Sequence, residues 1–407
     1  ALIDSFAEFK DDKNIDRVTL MGIIEDVFRN MIIKKYGSDD NFDIIVNPDK
    51  GDLEIWRNRI VVKDEDVEDS NAEIAYTDAI KIEPDFEVGE EVSEEVHLVD
   101  FGRRAILSLR QNLISRIQEH DNTDLYNKYK ELVGEIISGE VHHIRNREVI
   151  IIDDMDNEVI LPKDQQIRSD FFRKGDTIRG VVKEVQLKGM KPRIVLSRTS
   201  PKFLERLFEQ EIPEVADGLI IVKRVERIPG EKAKVAVESY DERIDPVGAC
   251  VGMKGSRIHG IVRELGNENI DVINYTSNIS LFISRALSPA KVSSINIDED
   301  NSRAEVFLKP DQVSLAIGRG GTNIRLAGSI SGYEIDVYRD VDDSEDVALT
   351  EFVDEIDGWI IDELKNIGCD TAKSVLELSA TELVQRTDLE EETIREIQAV
   401  LKSEFED

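Results

Sequence analysis

The stretch Val247-Gly248-Ala249-Cys250-Val251-Gly252-Met253-Lys254-Gly255-Ser256-Arg257-Ile258 returns in outline at Val313-Ser314-Leu315-Ala316-Ile317-Gly318-Arg319-Gly320-Gly321-Thr322-Asn323-Ile324. Each copy is an apolar helical turn, then Gly-x-x-Gly enclosing a basic residue, then a second amphipathic run. Glycines open backbone conformations closed to other residues and let a ligand come close. A helix that starts just after such a loop offers unpaired N–H groups and a positive dipole end, which suits phosphate. The two loops begin 66 residues apart, at 252 and 318, in matching helix–loop–helix surroundings.

Outward from the loops, both neighbourhoods follow one order. The first is expected to run as helix Pro201–Glu209, strand Leu219–Arg227, a Pro229-Gly230 turn, strand Ala233–Val237, the helix pair, and strand Ile270–Tyr275. The second repeats this with helix Ile279–Ala286, strands Val292–Ile297 and Arg303–Leu308, a helix pair over 311–331, and strand Tyr333–Val337. This α-β-β-α-α-β order resembles tandem type II KH domains, whose glycine loop clamps a single-stranded nucleic-acid backbone. The candidate RNA contacts are Gly252, Met253, Lys254, Gly255, Ser256 and Arg257 in the first unit, and Gly318, Arg319, Gly320, Gly321, Asn323 and Arg325 in the second.

Upstream, residues 133–200 alternate in short β segments: Val133–Val141, Glu148–Asp153, Glu158–Leu161 and Asp176–Gln186. Several short strands in so little chain suit a small OB-type barrel. Gly134-x-Ile136, Ile160-Leu161-Pro162 and Ile194–Arg198 resemble the S1 motif, an RNA-binding OB-fold. Arg145, Arg147, Lys183 and Lys188 are the leading phosphate contacts there, with Arg168, Arg173 and Lys191 also basic. Phe171 and Phe172 are expected to pack in core or loop rather than serve as base platforms. Further upstream, residues 2–36 read as a helix carrying Ile23, Ile24, Val27, Met31 and Ile32. Strands Phe42–Val46 and Leu53–Val62 follow, joined by a Pro48-Asp49-Lys50-Gly51 turn, with a third strand or turn near Glu73–Ile82. A long helix with Ile106, Leu109, Leu113 and Ile117 on one face closes an α+β unit over 1–130. Its Arg103, Arg104, Arg110 and Arg116 form either a solvated face or a binding surface.

Composition narrows the classes. The chain has 407 residues, 40% hydrophobic and 34% charged, and a net charge of −34, which argues against non-specific coating of nucleic acid. The charge is uneven: residues 341–407 hold 5 basic and 21 acidic side chains, whereas residues 243–340, around both loops, hold 11 and 12. A phosphate backbone is therefore tolerated where the loops stand. No apolar run approaches a membrane span, and the first residues lack a signal peptide's basic-then-apolar pattern. Two distant cysteines, Cys250 and Cys369, fit a reducing, cytoplasmic setting. Walker A, dinucleotide, His-Glu-x-x-His and Cys-x-x-Cys patterns are missing. His142 and His143, adjacent on a predicted strand, should point to opposite faces. Neither catalysis, a cofactor nor a metal is expected. The acidic run from Asp340 to Asp346 reads as a linker, assigned to 341–349, before an all-helical acidic module over 350–407. Within that module Leu364–Ala372 has the shape of a helix-hairpin-helix turn, with Asp370 where DNA-binding hairpins have glycine.

The series of units, and Asp100-Phe101-Gly102-Arg103, Thr199-Ser200-Pro201 after Ile194–Arg198, Glu214-Val215-Ala216-Asp217-Gly218, Asp245–Ser256, Ala286-Leu287-Ser288-Pro289-Ala290 and Ser314-Leu315-Ala316-Ile317-Gly318, resemble the NusA family of bacterial transcription termination/antitermination factors. The resemblance covers residues 1 to about 340 and only loosely the tail. It implies a multidomain α+β chain: an N-terminal polymerase-binding α+β domain (1–130), an S1-type OB barrel (133–200), two type II KH domains (201–277 and 278–340), and a C-terminal all-α module. It further implies a non-enzymatic, monomeric factor that rides on core RNA polymerase near the RNA exit channel, through a surface that would include Arg103, Arg104 and Arg110. The S1 and KH units would hold single-stranded nascent RNA, other Nus factors would join in antitermination, and the acidic tail could cover the KH face or bind a basic partner. Two rivals are a polynucleotide phosphorylase-like RNA-degrading enzyme, whose KH and S1 units come in reverse order, and a ribosome-associated KH/S1 RNA-binding assembly protein.

Overall fold

A computed structural model describes residues 16–47, 52–189, 191–340 and 346–405; the side chains of Asp52 and Lys188 lie outside that description. The expected Pro48–Gly51 turn and the helical reading of residues 2–15 also fall outside it. The chain divides into two compact units.

In the first, helix α1 (Arg17–Tyr36) starts at Asp16, whose carboxylate accepts the Thr19 N–H at 3.0 Å, and stops at Gly37 in the left-handed region. Strands β1 (Phe42–Asn47), β2 (Asp52–Val62), β3 (Glu73–Ala75) and β4 (Glu91–Val96) form one sheet. The segment expected as a third strand or turn is a three-residue strand followed by helix α2 (Tyr76–Ile82). Helix α3 (Arg103–Glu131) lays Leu109, Leu113 and Ile117 against Ile24, Val27, Phe28 and Ile32 of α1. Each fully buried side chain of this size contributes about 1.5–3 kcal/mol, so this seam holds the unit. Ile106 is only half-buried.

The second unit opens with a closed barrel in the order β5-β6-β7-β9-β8, built from β5 (Ile136–Arg145), β6 (Glu148–Asp153), β7 (Glu158–Leu161), β8 (Thr177–Lys188) and β9 (Lys191–Ser197). Helix α4 (Pro201–Glu211), capped by Ser200, buries Phe203, Leu204, Leu207 and Phe208 completely between the barrel residues Ile167 and Val181 and the next sheet. That sheet comprises β10 (Ile220–Ile228), β11 (Lys232–Ser239) and β12 (Asn269–Asn274), preceded by the short α5 (Pro213–Ala216) and carrying helices α6 (Pro246–Val251) and α7 (Ser256–Glu264). A second sheet of identical topology follows: α8 (Ile279–Ala286), β13 (Ser294–Asp298), β14 (Arg303–Leu308), α9 (Pro310–Ile317), α10 (Thr322–Ser331) and β15 (Glu334–Arg339). In both, the first two strands pair antiparallel and the last two parallel. Helices α11 (Gly358–Asn366), α12 (Ala372–Leu376), α13 (Ala380–Arg386) and α14 (Glu391–Ser403) close the unit around their own core.

Charged rivets fix these parts. Arg198 is buried where the barrel ends, pairs with Asp170 at 2.9 Å and Glu264 at 2.9 Å, and donates to the carbonyl oxygens of Arg179 and Glu264. Arg227 and Glu268, both fully buried, meet at 2.9 Å, and Arg227 also donates to the Arg198 and Ser200 carbonyls. Removing one partner of such a pair is costly because it strands a buried charge. Between the two repeats, Lys234 of β11 reaches Asp271 at 2.7 Å and the Ser288 carbonyl at 3.0 Å. Burial outweighs the Asp271 carboxylate and brings its ammonium down from 10.5 to about 8. Ala236 and Ile273 of the first repeat belong to the core of the second, so the two repeats share one interior.

Candidate nucleic-acid interface

The two loops superpose in logic residue by residue. Gly252 (φ 77°, ψ 172°) and Gly318 (φ 74°, ψ 171°) end the first helices in a backbone region essentially restricted to glycine. A second reason is steric: a Cβ on Gly252 would lie 2.9 Å from Arg257 Cγ, and one on Gly318 2.7 Å from Asn323 Cβ. These glycines make room for a bracing side chain, which sequence reasoning did not foresee. Gly255 and Gly321 then start α7 and α10 in the left-handed conformation, at φ 74° and 75°.

That bracing corrects one expected RNA contact, Asn323, and gives another, Arg257, partners within its own chain. Arg257 donates to Ala249 O at 2.9 Å and pairs with Glu214 at 2.6 Å, so its guanidinium ties α7 back to α6 and α5. Asn323, at the equivalent position, is fully buried, and its amide donates to Leu287 O at 3.1 Å, Leu315 O at 3.3 Å and Ala316 O at 2.9 Å. Both brace the loop; burial closes Asn323 to a ligand, while the half-exposed Arg257 is engaged by Glu214 and the Ala249 carbonyl. A short polar side chain at a helix start satisfies neighbouring backbone groups as readily as it binds a ligand, which is why sequence misassigned Asn323.

The remaining loop residues are presented to solvent. Met253 is 86% exposed, and Lys254 and Ser256 are exposed with it. Lys254 sits at φ 55° in the left-handed region, where its counterpart Gly320 sits at 64°. A lysine held there is strained by roughly 1 kcal/mol or more. In the second loop Arg319 and Gly320 are exposed, Gly321 is half-buried, and exposed Arg325 donates to Gly320 O at 3.3 Å.

The second loop has a neighbour. Arg319 forms an ion pair with Asp388 of the C-terminal helical module. Beneath it Gly368 packs so closely on α9 that a Cβ would lie 2.6 Å from Ile317 Cδ1 and 2.7 Å from Val313 Cγ1. Arg339, at the end of β15, pairs with Asp346 at 3.0 Å and Asp370 at 2.9 Å. Asp370 thus answers an arginine of its own chain. Asp346 also corrects the linker reading: its carboxylate is buried and accepts Thr371 Oγ1 and the N–H groups of Val347 and Lys373. Burial works to raise its pKa, but these hydrogen bonds and Arg339 hold it below the ordinary carboxylate value. Residues 341–345 of the assigned linker lie outside the described residues.

On the barrel, Arg145, Arg147 and Lys183 are exposed, as expected; the Lys188 side chain is not described. Phe171 departs from expectation: it is 76% exposed, with the Arg173 guanidinium 5.6 Å from its ring centroid. Phe172 is the packed member of the pair, beneath Arg198. A cavity of about 610 Å3 opens beside Phe171, lined also by Arg147, Lys163, Gln166 and Arg168. Sequence reasoning left Phe171 and Lys163 out of the site; an aromatic beside two basic residues was the available signal. His142 and His143 do not point apart. A β-bulge between Val141 and His143 turns them together, with their Nδ1 atoms 2.7 Å apart. No group of three metal-ligating side chains occurs among the described residues. Both cysteines are buried, and burial pushes each thiol up to about 12, far from nucleophilic range. In the N-terminal unit, Arg103, Arg104 and Arg110 are all exposed on the first turns of α3. No helix among the described residues is long and apolar enough to cross a membrane.

Comparison with known proteins matches three family models: NusA N-terminal domain over residues 1–123, NusA-like first KH domain over 198–275, and NusA-like second KH domain over 279–345. Similar proteins include the transcription termination/antitermination protein NusA of Thermus thermophilus, 38% identical over 299 residues, covering 74% of this chain and 77% of that protein. That of Rickettsia prowazekii is 34% identical, covering 84% and 68%, and that of Bacillus subtilis 32%, covering 84% and 92%.

Proposed function

Because the chain belongs to the NusA family of transcription termination/antitermination proteins, we propose that it is a non-enzymatic elongation factor that binds core RNA polymerase and nascent single-stranded RNA. The observation that carries this reading is the pair of glycine loops, each carrying one exposed cation and helix-start N–H groups, Lys254 facing solvent and Arg319 paired with Asp388, held in a shared core with the barrel. Each loop by itself gives a weak, sequence-tolerant grip; three RNA-holding surfaces in one unit raise effective concentration and avidity. The exposed Arg103, Arg104 and Arg110 make α3 the side from which the N-terminal unit meets polymerase. The protein works as a monomer in the cytoplasm, with other Nus factors as further partners in antitermination.

The C-terminal module adds regulation. Asp388 stands where a phosphate would meet Arg319, so transcript competes with the module for that guanidinium. A pause-and-termination assay with purified polymerase, comparing the full chain with one ending at residue 340, tests both statements. No effect of the full chain on pausing or termination would remove the polymerase reading, and co-purification with ribosomal subunits in place of polymerase would favour the assembly-protein alternative.

A further inference from the structure

The cavity beside Phe171 is lined by none of the glycine-loop residues; it is built by the β5–β6 turn and the connection from β7 to β8. Its volume of about 610 Å3 falls in the roughly 300–1,000 Å3 range of small-ligand sites. Arg147, Lys163 and Arg168 bring three cations to its rim, in a chain whose net charge is −34. The one carboxylate among its lining residues, Asp170, is committed to Arg198 at 2.9 Å and nearly buried. The site is therefore locally cationic and suits an anion.

The aromatic is equally specific. Strands β5 to β9 contain no Phe, Tyr or Trp, so the stacking platform an OB-fold ordinarily carries on its strands is missing. Phe172 is taken up under Arg198, which leaves Phe171 as the ring offered to solvent. Gln166 supplies selectivity. Its Nε2 donates to Arg147 O at 2.6 Å and Leu161 O at 3.2 Å. Both partners are carbonyls, so the amide orientation follows from the network, and Oε1 is the atom presented as an acceptor. Arg147, whose carbonyl is held this way, has φ 64°, and Asn146 beside it has φ 53°. These two residues are the turn of the β5–β6 hairpin, which requires positive φ at both and so fixes where the Arg147 carbonyl meets Gln166.

We propose that this cavity receives one unstacked base of single-stranded RNA that carries an exocyclic amino group, stacked on Phe171, its amine donating to Gln166 Oε1 and its flanking phosphates met by Arg147, Lys163 and Arg168. The proposal rests on the RNA-holding reading above and assigns the barrel a preference for adenine, cytosine or guanine over uracil.

The test is a fluorescence-anisotropy titration of the full chain with short oligo(A), oligo(C) and oligo(U) RNAs of equal length. Stacking contributes about 1–3 kcal/mol per base, so Phe171→Ala should weaken oligo(A) and oligo(C) binding about five- to a hundredfold, and Phe171→Trp should restore it. Oligo(U) should bind the native chain less tightly, and Phe171→Ala should erase that difference. Because Phe171 is exposed, its thermal unfolding should match the native chain's. Unchanged affinity in Phe171→Ala, or base discrimination that survives it, overturns the proposal. Lys254→Asp combined with Arg319→Asp serves as the separate control: if it weakens all three RNAs while Phe171→Ala does nothing, the cavity assignment fails and the RNA reading stands. If neither variant changes affinity, the RNA reading itself falls. AMP that binds more tightly than oligo(A) in a Phe171-dependent manner would assign the cavity to free nucleotide and overturn the transcript as its source; an acidic peptide competing equally well would likewise overturn it.

Discussion

The first glycine loop stands free and the second is tied by an ion pair to the C-terminal module. Residues 252–255 and 318–321 share backbone angles, a bracing side chain and a start of helix, yet Lys254 faces solvent while Arg319 is engaged by Asp388. A motif therefore sets what a loop can do, and its neighbours set whether it does so at once. The covering contact at the tip is a surface ion pair, worth about 0–1 kcal/mol, whereas the packing of Gly368 on Val313 and Ile317 and the buried Arg339–Asp346 pair are the firmer attachments. A cover held at its base and loose at its tip can be lifted by a competitor.

The largest expected effect comes from reversing both cations. Lys254→Asp with Arg319→Asp should weaken RNA binding about ten- to a hundredfold and flatten its salt dependence, since two phosphate partners become repulsive. Anisotropy titrations at several salt concentrations check this, and an unchanged affinity would show that the loops are not the clamp.

Next is the brace of the second loop. Asn323→Ala removes a buried amide that donates to three carbonyls, one of which, Leu287 O, keeps the Ala290 N–H, and should cost about 2–3 kcal/mol in urea unfolding. Arg257→Ala, its counterpart, is half-exposed and should cost about 1 kcal/mol or less. If instead Asn323→Ala left stability intact and abolished RNA binding, the assignment as a pillar would be wrong.

Ending the chain at residue 340 removes the cover and should tighten RNA binding several-fold, about 1 kcal/mol, with the gain depending on Arg319. Should Arg319→Ala leave that gain intact, the module acts elsewhere. The smallest effect is the subtlest comparison. Lys254→Gly turns the first loop into a copy of the second's backbone, relieves the left-handed lysine, and should raise stability by about 0.5–1 kcal/mol while lowering RNA affinity. Lost stability would mean that the lysine is not strained.

Much of the fold was legible. Helices Ile279–Ala286 and strand Arg303–Leu308 lie where periodicity placed them, because apolar spacing reports which face is buried and that face decides the element. The barrel and both repeats followed for the same reason. What was illegible depended on partners distant in sequence. Phe171 and Phe172 are chemically identical, and only Arg198, brought to Phe172 by the end of β9, separates the packed ring from the exposed one. His142 and His143 were assigned opposite faces by strict alternation, which a single bulge undoes. Asp346 looked like one more solvated acid until Arg339 and Thr371 surrounded it.

By itself the sequence determined the glycine loops, their repetition and the type of each domain, since these rest on local backbone freedom and on periodic burial. Tertiary structure alone decided which polar residues are braces, which aromatic is exposed, and which of two like loops is paired with a neighbouring module. Charge, hydrogen-bonding capacity and ring are properties of a residue, but their availability is a property of what the folded chain sets beside it.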